Sequence, residues 1–341
     1  MTLIFFIIIL GITIFVHELG HFIFAKKAGI YVYEFSIGMG PKIFKFNREN
    51  DETTYSIRLF PIGGFVQMAG ETNEDDKNIK DDQKLPNKSW KDRFLTIIAG
   101  ITFNFIFAFI LFFILAVSSG YMNIRPYIAE VDEAYPSYEA GLKEGDRIAK
   151  VDGKTVFTTD HLQLLLLTRI GDEVDFTLER DGEFLEISIE PEEEDGAYLY
   201  GFLLDGTINK SFFGSIGYAF LKTAAVIHQM VLIITYLITG VVSLNNLAGP
   251  IGIYSIVGEA SEAGITSLVY LNAVISINVG FINLLPIPAF DGGRLMFLII
   301  EKIKGKPVDP ELENTIHAVG FFLLLLLMIL ITFNDLSRIF N

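Results

Sequence analysis

Four stretches of this chain are apolar for long enough to fill a membrane, and few polar residues interrupt them. A helix needs about 20 apolar residues to cross the hydrocarbon core. Residues 1–25 reach that length with no charge outside the run HELGH at 17–21. Residues 94–118 carry no charge. Residues 265–290 carry none either, but hold Asn272, Asn278 and Asn283 and end among Pro286 and Pro288. Residues 316–341 contain a short Leu-rich span with His317 at its edge. A fifth apolar stretch, 212–243, is broken by Lys222 and His228. That interruption predicts a helical segment, 212–264, lying on the membrane rather than crossing it.

Between the spans the pattern changes. In 26–93, YEFSIGMGPKIFKF and TTYSIRLFPIGGFVQMAG are rich in β-branched and aromatic residues and punctuated by Gly and Pro. They predict a strand, a turn at Asn50-Asp51 and a second strand. Ile43, Phe44, Phe46, Leu59, Phe60 and Phe65 make this hairpin greasy enough to touch the bilayer. Residues 71–88 are polar and expected to be flexible. Residues 119–211 read as a compact α/β domain. YIAEV is a strand signal, 157–168 has helical apolar spacing, and 174–179 with 184–190 form a hairpin joined at Asp181-Gly182. Residues 291–315 are expected to be a loop before the last span.

Composition supports the membrane reading. Of 341 residues, 51% are hydrophobic and 31 are Phe. The chain has no Cys, so any metal must be held by His and carboxylates. A net charge of −15 argues against a nucleic-acid partner. The acid is concentrated in 119–211, with 21 acidic residues against eight basic ones, which predicts a solvated surface. Lys26 and Lys27 follow the first span at once, and basic residues flank the cytoplasmic ends of spans. Four spans then place 26–93 and 291–315 inside, and 119–211 and both termini outside. The first span has neither the basic start nor the small-residue cleavage site of a signal peptide.

Ionisable groups inside hydrocarbon are costly and mark function by default. On a helix, His17 and His21 are one turn apart on one face, so both imidazoles can reach one metal ion. Glu18 is adjacent and can reach a metal-bound water. This is the spacing of a zinc hydrolase with glutamate as general base. A catalytic zinc takes three protein ligands and keeps one open position. The third must be His, Asp or Glu. His228 fits an amphipathic helix and His317 a span boundary. Asp291, in NLLPIPAFDGGR, returns to the side where the first span ends and is the candidate third ligand.

With HELGH in the first span and N-x-x-P-x-x-x-Phe-D-G in a later one, the chain resembles the site-2 protease family of intramembrane zinc metalloproteases. It is similar to the bacterial branch that carries an extracytoplasmic PDZ domain and acts in regulated intramembrane proteolysis. FSIGMGP, YSIRLFPIGGFVQMAGE, AGITFNFIFA, PSYEAGLKEGDRIAKVDGKTV and LNNLAGPIGI extend the resemblance over nearly the whole chain. Phe290 stands where the family usually has Leu, and only one PDZ-like region fits between the second and third spans.

The resemblance implies an α-helical polytopic membrane protein of about four transmembrane helices. It would carry an inserted α/β PDZ-like extracytoplasmic domain and a cytoplasmic membrane-associated β-hairpin. It implies His17, His21 and Asp291 as ligands to one zinc ion per chain, with Glu18 as the catalytic base. It also implies that Asn283 and Pro286 engage substrate, and that Gly38 and Gly40 belong to a loop receiving the substrate as an added strand. The expected location is a bacterial cytoplasmic membrane. The expected substrates are single-span proteins, such as anti-sigma factors already trimmed by an upstream site-1 protease, or signal-peptide remnants. The PDZ-like domain would bind a new C-terminus or exclude bulky ectodomains. A non-enzymatic PDZ scaffold with a structural metal would need a fourth ligand. A metal transporter would need a polar path across the membrane, where the spans offer one cluster.

Overall fold

The computed structural model describes residues 1–71, 78–194, 197–243 and 248–340, with backbone alone at 61, 62 and 338–340. The start of the LNNLAGPIGI motif and part of the 71–88 stretch lie outside the described residues. The chain forms two compact units, Met1–Leu111 with Leu244–Asn341, and Phe112–Ser243. Among the described residues five helices are long and apolar enough to cross a membrane, one more than the four spans read from the sequence.

The first unit begins with α1 (Thr2–Lys27). Strands β1 (Val32–Asn47) and β2 (Thr54–Met68) follow, joined by a turn in which Asn50 has φ 61°. Each strand doubles back on itself. Residues 34–37 pair with 64–67 on one side and with 54–57 on the other, and 54–57 pair again with 44–47. The reversal in β1 falls at Gly38 and Gly40, both at φ +86°, a region that side chains with a Cβ avoid. The base of this sheet packs Val32, Phe35, Val66 and Met68 with Ala25 of α1, and Phe35 stacks on Phe22 at 4.9 Å. Its tip leaves Ile43, Phe44, Phe46, Leu59 and Phe60 exposed. Two 3-10 turns, Asp81–Gln83 and Leu85–Asn87, order part of the stretch expected to be flexible, because Leu85 is buried in the same cluster.

Helix α2 (Trp90–Ser119) runs opposite to α1, since His21 meets Thr96 while His17 meets Asn104. The second unit starts near its end. Strand β3 (Ile128–Val131), the one-turn α3 (Pro136–Glu139), β4 (Arg147–Val151) and β5 (Lys154–Thr155) lead into α4 (Thr159–Leu167). Then come β6 (Val174–Arg180), β7 (Glu183–Ile189), β8 (Glu192–Glu194), β9 (Ala197–Leu199) and β10 (Phe202–Leu204). The main antiparallel sheet has the order β5-β4-β6-β7, with ribbons β10-β3 and β8-β9 beside it. Ile148, Val151, Leu162, Leu165, Phe176 and Leu178 form its core. Asp146, nearly fully buried, accepts two 2.7 Å hydrogen bonds from Arg180 and so pins the turn before β4 to β6.

Helix α5 (Phe212–Ile238) packs on this domain through polar pairs as well as apolar ones. Lys222 Nζ donates to Asp160 at 2.5 Å, the His161 and His228 rings lie 5.2 Å apart, and Tyr236 joins the domain core. Phe213, Phe220 and Ile238 on its other side are exposed.

Back in the first unit, α6 (Pro250–Ala263) lies beside the start of α1, with Gly258 against Thr2. Helix α7 (Ile265–Leu284) runs in the same sense as α1, bonded midway by Thr13 Oγ1 to Asn272 Oδ1 at 3.0 Å. The expected loop at 291–315 holds an amphipathic helix, α8 (Asp291–Lys304). Its Leu295 and Leu298 pack on Ile97 and Ile101 of α2, and Trp90 Nε1 donates to the Leu298 carbonyl at 2.8 Å. Helix α9 (Pro310–Phe340) closes the unit, running from Pro288 to the start of α6.

Candidate metal centre

Three donor atoms from two distant parts of the chain converge between α1, α2 and the start of α8. His17 Nε2 and His21 Nε2 lie 3.2 Å apart. Asp291 Oδ2 stands 3.0 Å from the first and 3.2 Å from the second. Both histidines are buried and Asp291 is largely so. Among the described residues this is the one group of three or more such side chains able to hold a metal ion.

The surroundings dictate which way the rings point. His21 Nδ1 lies 2.8 Å from the Thr96 carbonyl, which can only accept, so Nδ1 carries the proton and Nε2 presents its lone pair. Asn104 Nδ2 lies 3.3 Å from His17 Nδ1, and Asn104 Oδ1 is buried without a partner. Exchanging the amide oxygen and nitrogen gives the buried Oδ1 a partner, with Nδ1–H of His17 donating to it. Both Nε2 lone pairs then face Asp291 Oδ2, itself buried without a hydrogen bond. Three lone pairs aimed at one another repel unless a proton or a metal ion sits among them. Two neutral imidazoles and a carboxylate are donors that zinc takes, so the donor set fits that ion.

Close backbone approach makes this possible. A Cβ on Gly20 would stand 2.5 Å from the Ala99 carbonyl oxygen, and one on Gly100 would stand 2.3 Å from His21 Nε2. The glycine inside HELGH and the one facing it let α1 and α2 meet at the histidine level.

Glu18 is half-buried on the neighbouring face of α1. A Cβ on Gly64 would lie 3.6 Å from Glu18 Cγ, so the segment 64–67 runs beside this carboxylate. That segment is an outer edge of the doubled sheet. Gly38 and Gly40 shape the sheet from its reversal, and Arg58 donates to the Gly40 carbonyl at 2.7 Å. Asn283 bonds back to the Val279 carbonyl of its own helix at 3.0 Å, and Pro286 is exposed in the turn before Asp291. Among the described residues no hydrogen bond or ion pair joins Gly38, Gly40, Asn283 or Pro286 to the three donors.

The sequence reading did not single out Asn104 or Thr96. Asn104 is the only amide side chain in the uncharged run 94–118, and that isolation was the available signal. Thr96 acts through its carbonyl, which no residue type encodes. His317 does not join the donors but accepts from the Ala289 N–H at 2.9 Å. His228 belongs to the second unit, against His161.

The pattern of peptidase family M50 matches residues 5–327. The chain is 36% identical to the zinc metalloprotease RasP of Shouchella clausii, over 100% of both chains. It is 32% identical to the regulator of sigma-W protease RasP of Bacillus subtilis, over 99% of each. Among solved structures, the PDZ domain of an SdrC-like protein from Listeria innocua matches 26% of this chain and 99% of its own, at 22% identity and a TM-score of 0.21.

Proposed function

The chain belongs to peptidase family M50, and on that footing we propose that it hydrolyses a peptide bond within or near the membrane segment of single-span proteins, in regulated intramembrane proteolysis. It is a zinc-dependent protease. The observation that carries the finer reading is the convergence of His17 Nε2, His21 Nε2 and Asp291 Oδ2 beside Glu18. His17, His21 and Asp291 would hold one zinc ion, and their count leaves a position open for chemistry.

Bound zinc would lower the pKa of a water and polarise the scissile carbonyl. Glu18 takes the proton of the attacking water on its carboxylate and passes it to the leaving amine nitrogen. The half-buried setting of Glu18 limits competing bulk water. A peptide bond within a helix is shielded, so the substrate must be drawn out first. The edge at 64–67 offers free backbone groups beside Glu18 for an added strand, held in shape by Gly38 and Gly40. Asn283 and Pro286 flank the turn that delivers Asp291 and would border the same strand.

Helix directions support four spans. Helices α1 and α7 run one way, α2 and α9 the other. The chain leaves the first unit at the far end of α2 and returns to α6, which lies at the start of α1. The 14 residues of α6 span about 21 Å, short of the roughly 30 Å core. The polar contacts of α5 to α4 support a helix lying on the membrane rather than crossing it. With Lys26 and Lys27 inside, residues 119–211 form a PDZ-like domain outside a bacterial cytoplasmic membrane. Trimmed anti-sigma factors and signal-peptide remnants are the proposed substrates.

The test is cleavage of a single-span substrate lacking its ectodomain by the purified chain in detergent, beside Glu18→Gln. Cleavage lost in the variant, with zinc still bound, is the expected result. Equal cleavage by both proteins would remove Glu18 from the mechanism. Zinc binding without cleavage by either, across several trimmed substrates, would return the site to a structural metal.

A further inference from the structure

The turn that presents Asp291 is held from outside by a helix that contributes nothing to the donors. Ala289, two residues before Asp291, has φ +82°. This left-handed region is disfavoured for any residue with a Cβ. Its N–H donates to His317 Nδ1 on α9 at 2.9 Å. One helical turn on, Gly320 receives the same loop. A Cβ there would stand 2.4 Å from Pro288 Cβ and 2.8 Å from the Pro288 carbonyl oxygen. The His317 ring also packs against Phe297 of α8, at 5.6 Å between centroids. The loop is thus gripped between α8, which begins with Asp291, and α9.

We propose that His317 is a positioning residue: by accepting the Ala289 N–H it holds that residue in its left-handed conformation and so aims the Asp291 carboxylate at His17 and His21. Released from this bond, Ala289 has every steric reason to return to negative φ. That rotation, with only Phe290 between, would swing Asp291 away from the histidines. The ring nitrogen acts here purely as an acceptor, a role that an amide oxygen can fill. Asn Oδ1 sits as many bonds from Cβ as His Nδ1 does. Ala289→Gly removes the strain that the bond opposes, so it makes the bond less necessary. The inference rests on the reading of Asp291 as a zinc ligand.

The experiment is zinc affinity of the full-length chain in detergent, by competition with a chromogenic chelator. The proteins are wild type, His317→Ala, His317→Asn, Ala289→Gly, the double variant His317→Ala/Ala289→Gly, and Asp291→Ala. Groups that orient metal ligands typically contribute 10–100-fold in affinity. His317→Ala is expected to weaken zinc about 10-fold or more, His317→Asn to restore it to within about 3-fold, and Ala289→Gly to recover part of the loss in the double variant. Wild-type affinity in His317→Ala, with Asp291→Ala defective, overturns the proposal and leaves the ligand reading standing. So does a loss in His317→Asn as large as in His317→Ala, since only ring packing on Phe297 would then matter. Wild-type affinity in Asp291→Ala overturns the ligand reading itself. If His317→Ala fails to fold, His317→Asn decides alone: affinity within about 3-fold of wild type supports the proposal, and a loss of about 10-fold or more overturns it.

Discussion

Asn104 and His17 face each other across the α1–α2 contact, amide nitrogen to ring Nδ1 at 3.3 Å, with the other amide atom buried and unpaired. The pair fixes the imidazole so that Nε2 points at Asp291. Asn104→Ala is therefore expected to weaken zinc binding 10–100-fold while leaving the fold intact. Chelator competition measures the loss, and circular dichroism checks the fold. Unchanged affinity would make Asn104 a packing residue only.

Metal removal should act on stability as well as on activity. Without a metal, His17, His21 and Asp291 crowd three donor atoms 3.0–3.2 Å apart in a buried site, with only a proton to bridge them. A chelator is expected to abolish cleavage and lower the melting temperature, and added zinc to reverse both. At a free zinc concentration 100 times the Kd, the gain is about 2.7 kcal/mol. A melting temperature indifferent to zinc would show that these side chains do not bind it in the folded chain.

Asp335, buried near the end of α9, accepts from the N–H groups of Gly249 at 3.2 Å and Gly252 at 2.9 Å. It caps α6 from another helix, satisfying donors that have no partner within α6. Asp335→Ala leaves those groups buried and unpaired, at a cost of about 1–3 kcal/mol. Thermal unfolding in detergent should record the drop, and hydrogen exchange should localise it to 249–263. Asp335→Asn, which keeps one acceptor, should recover about half.

Acid should loosen α5 from its domain. Burial, with His228 and then Lys154 nearby, pushes the His161 imidazole down to about 4. The same ring takes up a proton near 6.5 when unfolded. Between those values the unfolded chain holds more protons, so stability falls as pH drops from about 6.5 to about 4. Discounted for screening by water, the loss is about 1–2 kcal/mol. The Asp160–Lys222 ion pair lies at the same contact, so His161→Leu is the variant that assigns the change. Lower hydrogen-exchange protection in 212–238 at pH 4.5 than at pH 7, each taken relative to the intrinsic rate at that pH, is the expected sign, lost in His161→Leu. Protection that does not change with pH would leave His161 without this role.

Period and polarity are local properties, so most of the helices and strands follow from the sequence alone. The i, i+4 spacing of His17 and His21 puts both rings on one face wherever the helix goes. The Asp181-Gly182 pair closes the β6–β7 hairpin at the expected place, with Asp181 at φ 53°. The long uncharged runs at 94–118 and 265–284 became helices for the same reason. Tertiary structure alone decided who meets whom. Thr96 serves His21 through a carbonyl that carries no signature. Asn104 becomes an orienting partner only because Gly20 and Gly100 let two helices close to backbone contact, 75 to 87 residues apart along the chain. The stretch 291–315 reads as a loop because its apolar residues have no stated partner, and it turns helical when Leu295 and Leu298 find α2. His317 looks like a span boundary until α9 brings it to the Ala289 N–H. A contact between distant segments depends on how closely their backbones approach and on which groups are left unpaired there, and neither quantity is written in the neighbourhood of any one residue.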